Sequence, residues 1–272
     1  MDDVDTALAR WFQDAYAQNK ARGQRAKCER ARLCIKHYCP DWSLKYSARA
    51  LTAWAKLVPA HATTPVPRSL MLLMTEYLLA TGDLQAAVAI SMSFDCYLRS
   101  ASELLPVQLE DIMLPQLAQA TLGAAHGVLH LRHTKTGPHK SVLLRPNDIS
   151  THLLEHLVHH RRQRGQAKLV LLSATAYRKI FYQTLSALGL PEDHPYRPYA
   201  LRHGGATDAF LCGDSIDQIA ARGRWARRAN CEKYVQLGRA MLAGLALPTQ
   251  LLQRADYLLQ HPFAVLHHLP RV

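Results

Sequence analysis

The sequence predicts a mainly α-helical protein with a small antiparallel β-sheet, in its simplest form one hairpin. Apolar residues recur at helical spacing along most of the 272 residues. The period changes to two only after Gly123, where residues 128–133 and 141–144 flank a segment rich in turn-forming residues. Hydrophobic residues make up 49% of the chain, so a substantial core can form and disorder over most of the length is excluded.

The first part of the chain predicts a short helical domain. Aspartates followed by apolar residues at helical spacing predict one or two helices over residues 5–37. Pro40 ends this pattern, and Ser43 is the expected N-cap of a helix that runs to about Leu57. We therefore expect a helical N-terminal domain over residues 1–58.

A proline-rich segment separates this domain from the rest of the chain. Proline fixes φ and removes a backbone donor, so the three prolines within nine residues predict an extended linker over residues 59–68. A larger domain is expected over residues 69–240, followed by a helical tail over residues 241–272. Ser69 is the expected N-cap of its first helix, which Gly82 ends.

The other helices of the larger domain and the tail follow from apolar periodicity. An almost wholly apolar helix is expected over residues 84–98, and the hairpin has its turn at residues 135–139. Helical spacing returns in five later stretches, namely residues 148–164, 174–188, 200–212, 215–221 and 230–269, the last of them broken at Pro248 and Pro262.

Composition narrows the class of protein. The chain has 33 Lys and Arg against 21 Asp and Glu, a net charge of +12, which points to a polyanionic partner, nucleic acid first and an anionic membrane surface second. Six cysteines without a regular framework indicate reduced thiols inside a cell. The acidic start argues against a secretory leader, and no apolar run is long enough to span a bilayer.

Two runs of positive charge are the candidate nucleic-acid contacts, although either could be a solvated helix face. One lies between residues 20 and 36, and the other between residues 222 and 239. The predicted DNA-binding side chains are Lys20, Arg22, Arg25, Lys27, Arg30, Arg224, Arg227 and Arg228.

Neither a metal nor a cofactor is predicted. The only candidate cluster of metal ligands consists of Cys28, Cys34, His37 and Cys39, which lacks a Cys-x2-Cys pair. On a helix, Cys28 and Cys34 lie on different faces. No glycine-rich phosphate loop, GxSxG or HExxH motif occurs.

One ordered set of motifs carries a resemblance to a known family. The chain reads LRHGGA at residues 201–206 and GRW at residues 223–225, followed by Tyr234. Upstream lie FDCYLR at residues 94–99 and Lys135 in the predicted hairpin. In this order, the motifs over about residues 65–240 resemble the catalytic domain of the tyrosine recombinases, the phage-integrase family. The three motif strings look most like recombinases of eukaryotic mobile elements of the DIRS and Crypton kinds.

The resemblance implies the tyrosine recombinase catalytic-domain fold and site-specific DNA recombination through a 3′-phosphotyrosine intermediate, without metal or cofactor. It implies that Tyr234 is the nucleophile, that Arg99 and Arg202 bind the scissile phosphate, and that Lys135 is the general acid. Trp225 stands at the family's His/Trp position. The chemistry is consistent, because a phenol conserves the bond energy as a phosphotyrosine and guanidinium groups clamp the charge of the transition state.

Each assignment has an alternative. Arg202 could be a helix-surface arginine and Trp225 a plain core residue, while Lys140 competes with Lys135. Tyr234 competes with other tyrosines, but it alone has the family's offset. His203 is expected to support the fold, and Glu103 to orient its neighbours from a buried position. The competing tyrosines are Tyr182, Tyr196 and Tyr257.

Three residues depart from the family pattern. Arg99 precedes Glu103 by four positions where the family has three, and one extra helical residue rotates the later side chains by about 100°. Tyr199 replaces the usual histidine and is a poor base at neutral pH, since a free phenol has a pKa of about 10. Arg224 adds a cation beside Trp225. The first departure predicts that Arg99 points away from the site.

The functional alternatives are a catalytically decayed DNA-binding relative, a type IB topoisomerase and a basic helical interaction module. The resemblance further implies double-stranded DNA as partner, with a homo-tetramer assembled on two DNA sites. Residues 1–58 would be a shortened DNA-binding domain. The tail would either dock on a neighbouring subunit or pack on its own domain. The place of action would be the nucleus for a eukaryotic mobile-element protein, and otherwise the cytoplasm or nucleoid.

Overall fold

The computed structural model describes residues 2–18, 22–58, 63–135, 137–236, 238, 241 and 247–269. The chain forms two compact units, Met1–Ala62 and Thr63–Val272. None of the helices in these described ranges is long and apolar enough to cross a bilayer.

The first unit consists of three helices, α1 (Asp2–Gln18), α2 (Arg22–Tyr38) and α3 (Lys45–Leu57). The prediction that Ser43 caps α3 is wrong, because Leu44 occupies the N-cap position and makes no side-chain cap. The Asp5 carboxylate of α1 caps the start of α3 instead, because it accepts hydrogen bonds from the Tyr46 and Ser47 backbone N–H groups at 2.6 and 2.9 Å. The unit's small core consists of Phe12, Ala15, Cys28, Leu51 and Trp54.

The second unit contains a three-stranded sheet and the remaining described helices. Its strands are β1 (Ile112–Met113), β2 (Gly127–Thr134) and β3 (Gly137–Leu144). Its α-helices are α4 (Arg68–Ala80), α5 (Leu84–Asp95), α6 (Pro115–Leu122), α7 (Ile149–Gln163), α8 (Ala174–Ala187), α9 (Ala200–Leu211), α10 (Ile216–Gly223), α11 (Arg228–Glu232) and α12 (Thr249–Gln260). A π-helical turn lies at Ser100–Leu104, and 3-10 turns lie at Leu109–Asp111 and Pro262–His268.

Helices α4 and α5 form the centre of the second unit. Both are apolar around most of their circumference, the pattern of a helix buried on all sides. They pack against each other, and α7, α9 and α12 surround them. The expectation that Ser69 caps α4 is wrong, because α4 begins at Arg68 after Pro67, whose φ of −68° suits the position.

The predicted hairpin is confirmed. Strands β2 and β3 pair antiparallel, with Thr134 opposite Gly137, and β1 adds a short third strand on the other edge of β2. The turn is tighter than expected, because β3 begins at Gly137, whose φ of +123° only glycine adopts readily. The sequence analysis did not find β1 or α6, whose short lengths leave little periodicity to detect.

Helix α5 ends earlier than its apolar pattern predicts, and this early end changes the direction of the chain. The expected helix ran to residue 98, but α5 ends at Asp95 and Tyr97 adopts a left-handed conformation with a φ of +49°. The chain therefore leaves the helix axis just before Arg99.

Candidate active site

The candidate site forms where the end of α5, the π-helical turn, α9 and the end of α10 meet. Two glycines of the LRHGGA motif allow this. A Cβ at Gly204 would overlap the Val66 carbonyl, and a Cβ at Gly205 would overlap the Phe94 carbonyl. Helix α9 therefore passes against the backbone of its neighbours more closely than any other residue type permits. This close passage places the side chain of Arg202 inside the second unit.

Arg202 is a buried arginine whose two terminal nitrogens both donate hydrogen bonds. Its side chain is 1% exposed, so the alternative of a helix-surface arginine is wrong. Nη1 donates to the Tyr97 carbonyl at 2.5 Å and to Glu103 at 3.3 Å, and Nη2 donates to the Gly223 carbonyl at 2.7 Å. Burial and the nearby positive charges lower the pKa of Arg202 to about 10, so it stays charged at neutral pH.

Glu103 gathers three arginines around one buried carboxylate. Oε1 accepts from the Arg99 guanidinium, and Oε2 accepts from the Arg99 backbone N–H at 3.0 Å and from Arg224 at 3.0 Å. Burial alone would raise the pKa of Glu103, but the Arg99 N–H and the guanidinium groups of Arg224, Arg202 and Arg99 outweigh it and hold the pKa below its usual range. We call Arg99, Glu103, Arg202 and Arg224 the arginine cluster.

The predicted misorientation of Arg99 is wrong. The expectation assumed α-helical geometry, but residues 100–104 form a π-helical turn in which the Leu105 N–H donates to the Ser100 carbonyl at 2.9 Å. A π-helical turn accommodates one residue more than an α-helical turn, so the extra residue between Arg99 and Glu103 is absorbed locally. Arg99 stays against Glu103, half-buried, and near Tyr199 and Tyr234.

Tyr234 lies directly on the cluster. Its ring stacks on His203 with centroids 4.3 Å apart, and it lies 4.6 Å from Trp225 and 5.5 Å from the Arg202 guanidinium. Its hydroxyl forms a hydrogen bond with the hydroxyl of Tyr199. The three competing tyrosines, Tyr182, Tyr196 and Tyr257, instead contact His194, His194 and His261 respectively.

The two groups next to Tyr234 are neutral at physiological pH. Burial and the charge of Arg202 lower the pKa of His203 to about 4. Burial, together with the hydrogen bond from Tyr234, raises the pKa of Tyr199 to about 12. The uncharged ring of His203 therefore packs directly on the ring of Tyr234, and its expected role in supporting the fold stays a prediction.

Trp225 combines packing with an available donor. A Cβ on Gly223 would overlap its ring, and the Arg202 guanidinium lies 4.6 Å from the ring centroid. Trp225 Nε1, Arg202 Nε and His203 Nδ1 are buried, and none has a hydrogen-bond partner among the described residues. The Trp225 Nε1–H and the Arg202 Nε–H are two unpartnered donors close to Tyr234, which suits stabilisation of an oxyanion.

The structure does not bring Lys135 to this site. Lys135 lies exposed at the tip of the β2–β3 hairpin, and within the described ranges no hydrogen bond or ion pair joins it to the arginine cluster. Its competitor Lys140 is also exposed, on β3 opposite Leu131. Lys135 and Lys140 both remain candidates for the general acid, which would have to approach the site from the hairpin.

The predicted DNA-binding residues have different surroundings. Lys20 lies outside the described residues, and only the backbone of Arg22 is described, at the start of α2. The other three of the first run lie on α2, with Arg25 half-buried and with Lys27 and Arg30 exposed.

In the second run, Arg227 and Arg228 are exposed, and Arg228 forms ion pairs with Asp217 and Glu232 at 3.3 and 3.2 Å. Arg224 is different, because its side chain is 7% exposed and bound to Glu103. It belongs to the arginine cluster, and its assignment as a DNA contact stays a prediction.

No group of three or more His, Cys, Asp or Glu side chains in the described ranges is arranged to hold a metal ion. Of the candidate ligand set, Cys28 is buried in the core of the first unit, whereas Cys34 is exposed.

The sequence analysis missed Tyr97. Its carbonyl accepts hydrogen bonds from Arg202 and Arg224, and its ring stacks on Trp225 at 6.0 Å. The residue type does not indicate this role, because the two arginines bind the backbone carbonyl of Tyr97 and not its side chain.

Known proteins resemble this chain in fold and not in sequence. No family model matches the chain, and no curated protein matches its sequence. Solved structures that are similar include the following three. The XerH site-specific recombinase bound to its palindromic difH substrate has a TM-score of 0.58 at 14% identity, over 94% of this chain and 72% of that one. The Tn1549 transposon integrase in complex with transposon right end DNA has a TM-score of 0.57 at 13% identity, over 89% and 85%.

The XerA recombinase has a TM-score of 0.50 at 16% identity, over 99% of this chain and 92% of that one. At these identities the likeness concerns the fold. The second unit therefore has the tyrosine recombinase catalytic-domain fold, which confirms the fold predicted from the motifs.

Proposed function

We propose that the protein is a site-specific DNA recombinase that cleaves and rejoins DNA through a 3′-phosphotyrosine intermediate. The observation that carries the proposal is the convergence of Tyr234 with Arg99, Arg202, His203 and Trp225, which are far apart in sequence. A half-buried phenol near the guanidinium groups of Arg202 and Arg99 and an unpartnered indole N–H supplies a nucleophile and stabilisation for an oxyanion in one place.

The chemistry divides between these side chains. The Tyr234 oxygen attacks phosphorus and forms a P–O bond, while the bond to the 5′-oxygen breaks and its electron pair leaves with that oxygen. Arg99 retains donors that Glu103 does not occupy and can bind the non-bridging oxygens. In the reverse step a 5′-hydroxyl attacks the phosphotyrosine and frees Tyr234.

Two protons must move in this reaction. The phenol loses one to water through Tyr199, which is 40% exposed and hydrogen-bonded to it: the Tyr199 hydroxyl accepts the Tyr234 proton while it passes its own proton to solvent. The leaving 5′-oxygen gains one, and we propose that Lys135 supplies it when the hairpin closes on bound DNA. The exposed position of Lys135 at the hairpin tip supports such an approach.

The decisive experiment is an SDS-resistant adduct assay on nicked duplexes drawn from a random-sequence library, in which release of a short fragment traps the enzyme. Wild type should form an adduct and Tyr234→Phe should form none. Tyr257→Phe is the matched control, because Tyr257 lies on α12 against His261, and it should behave as wild type. The adduct should also form in EDTA, since arginines supply the positive charge; its loss on chelation would contradict the mechanism.

The same assay separates the alternatives. Salt-sensitive binding without any adduct would identify a decayed DNA-binding relative. Adduct formation with relaxation of supercoiled plasmid, but without strand exchange between sites, would identify a topoisomerase-like enzyme. Absence of DNA binding would leave only a basic interaction module.

We further propose that the protein descends from a eukaryotic mobile element of the DIRS or Crypton kind, acts in the nucleus and assembles as a tetramer on two DNA duplexes. The FDCYLR, LRHGGA and GRW motifs support the DIRS or Crypton kind. The similarity in fold to a transposon integrase supports a mobile-element origin and no more than that. Light scattering of the protein–DNA complex tests the tetramer, and a complex that holds one protomer per duplex would contradict it.

A further inference from the structure

Two residues in the left-handed region touch each other beside the candidate active site. Arg224 has a φ of +58° at the C-cap of α10, and Tyr97 has a φ of +49°. Left-handed conformations are unfavourable for residues with a Cβ, and a helix C-cap of this kind ordinarily carries glycine. A large side chain at such a position needs contacts that offset the backbone cost.

The side chain of Arg224 makes those contacts inside the protein. Nη2 donates to Glu103 Oε2 at 3.0 Å and to the Tyr97 carbonyl at 3.2 Å. Nη1 donates to the Arg222 carbonyl at 3.2 Å and to the Cys96 carbonyl at 3.4 Å. The Arg224 side chain is only 7% exposed, so its guanidinium group connects neighbouring segments of the protein and has little exposed surface that could contact a ligand.

Arg224 and Arg202 share two acceptors. Glu103 Oε2 and the Tyr97 carbonyl each accept from both guanidinium groups. These are two of the three acceptors that orient Arg202, the third being the Gly223 carbonyl. Removing Arg224 would free both acceptors to move, and would leave Glu103 balanced by two arginines instead of three.

The charge of the cluster depends on Arg224 as well. Three guanidinium groups against one carboxylate leave a net charge of two positive units. Attack of a phenolate on a phosphodiester produces a pentacoordinate state with two negative charges. Electrostatic stabilisation is greatest where fixed charges match the charge that develops in the transition state. Without Arg224, the positive excess would fall by half.

We propose that Arg224 is a positioning residue for DNA cleavage, which holds Glu103 and the Tyr97 carbonyl so that Arg202 and Arg99 present their charge to the scissile phosphate. The inference rests on the proposed function and adds to it a residue that does not touch DNA. It predicts a loss in the rate of cleavage without a loss in DNA affinity.

The test uses Arg224→Gly, which suits the left-handed backbone and is therefore expected to fold, with Arg224→Lys as the conservative variant. The full-length proteins are compared in single-turnover adduct formation and in equilibrium binding to the same duplex. We expect the adduct rate to fall about 100-fold in Arg224→Gly, to recover in part in Arg224→Lys, and the dissociation constant to stay within about 2-fold of wild type.

Arg164→Gly is the matched control, because it removes one arginine from an exposed C-cap at the end of α7 and should leave both measurements unchanged.

A wild-type adduct rate in Arg224→Gly would overturn the inference and leave the proposed function standing. Equal losses of affinity and rate would also overturn it, since they would make Arg224 a DNA contact. If Arg224→Gly does not fold, Arg224→Lys decides, and a full rate there overturns the inference. If wild type forms no adduct, the proposed function fails and the inference falls with it.

Discussion

At the scale of single residues, the candidate site is organised by Glu103. A carboxylate with a fully buried side chain is costly unless it is paired and hydrogen-bonded, and Glu103 has Arg99, Arg202 and Arg224 as partners. The cluster is also costly without Glu103, because three guanidinium groups would then repel one another in a buried space. The arrangement therefore makes the site and the fold depend on the same ion group.

Glu103→Gln is expected to lower the free energy of unfolding by about 3–5 kcal/mol, the usual effect of breaking a buried ion pair. The pKa of Glu103 is depressed in the folded state, so its contribution to stability is full above the unfolded pKa of about 4.3 and is lost as pH falls through the lower folded pKa. Urea unfolding at several pH values measures this. Glu103→Gln should lose less stability on acidification than wild type, and an equal loss would contradict the role of the carboxylate.

Tyr199 occupies the position next to the candidate nucleophile, and its raised pKa keeps it protonated at neutral pH, so it can relay the phenol proton to solvent but cannot hold it as a general base. Tyr199→Phe should slow adduct formation about 10-fold, since it removes a hydrogen bond to the reacting oxygen and leaves the arginines in place. Tyr199→His should restore or exceed the wild-type rate near pH 7.5, because an imidazole with a pKa of about 6.5 accepts a proton there. The rate of adduct formation is measured between pH 6 and 9 for wild type, Tyr199→Phe and Tyr199→His. Identical pH–rate profiles for all three would show that Tyr199 takes no part in the reaction.

At the scale of elements, the site depends on two breaks in helical geometry that no propensity indicates. Arg202, Trp225 and Tyr234 could be identified as site residues from the sequence, because the spacing between them matches the motif pattern of the tyrosine recombinases. The sequence could not place Arg99, because the π-helical turn comes with hydrogen bonds to Glu103, whose arginine partners Arg202 and Arg224 lie far away in the sequence. The role of Tyr97 could not be predicted for the same reason. Its carbonyl accepts hydrogen bonds from Arg202 and Arg224, which lie more than 100 residues later in the sequence.

The crossing of α9 over α5 is the element-scale feature most open to test. Gly205→Ala would push a methyl group into the Phe94 carbonyl, and we expect a loss of about 1–3 kcal/mol in the free energy of unfolding together with loss of adduct formation. Gly23→Ala is the matched control, because a Cβ there meets nothing within 4 Å and Gly23 lies within α2. It should stabilise the protein by up to about 1 kcal/mol. Equal thermal stability of the two variants would show that α9 does not need its close approach.

At the scale of the whole molecule, the net charge of +12 is distributed between two kinds of arginine and lysine. Arg202 and Arg224 are buried and paired with Glu103, so they contribute little to long-range attraction. Lys27 and Arg30 on α2 are exposed, and the second unit adds Arg227. Affinity for DNA and chemistry on DNA should therefore respond to different sets of substitutions.

The salt dependence of DNA binding tests this separation. Each phosphate contact contributes about −0.9 to the slope of log affinity against log salt concentration. The double variant Lys27→Gln/Arg30→Gln should therefore reduce the magnitude of the slope by about 1.8 on any duplex sequence. Lys36→Gln is the matched control on the same helix, because the Lys36 ammonium is held by the Pro40 carbonyl and by the Trp42 carbonyl at 2.9 Å. Its slope should stay near that of wild type. If the double variant keeps the wild-type slope, α2 does not contact the DNA backbone, and the positive charge of the first unit has another use.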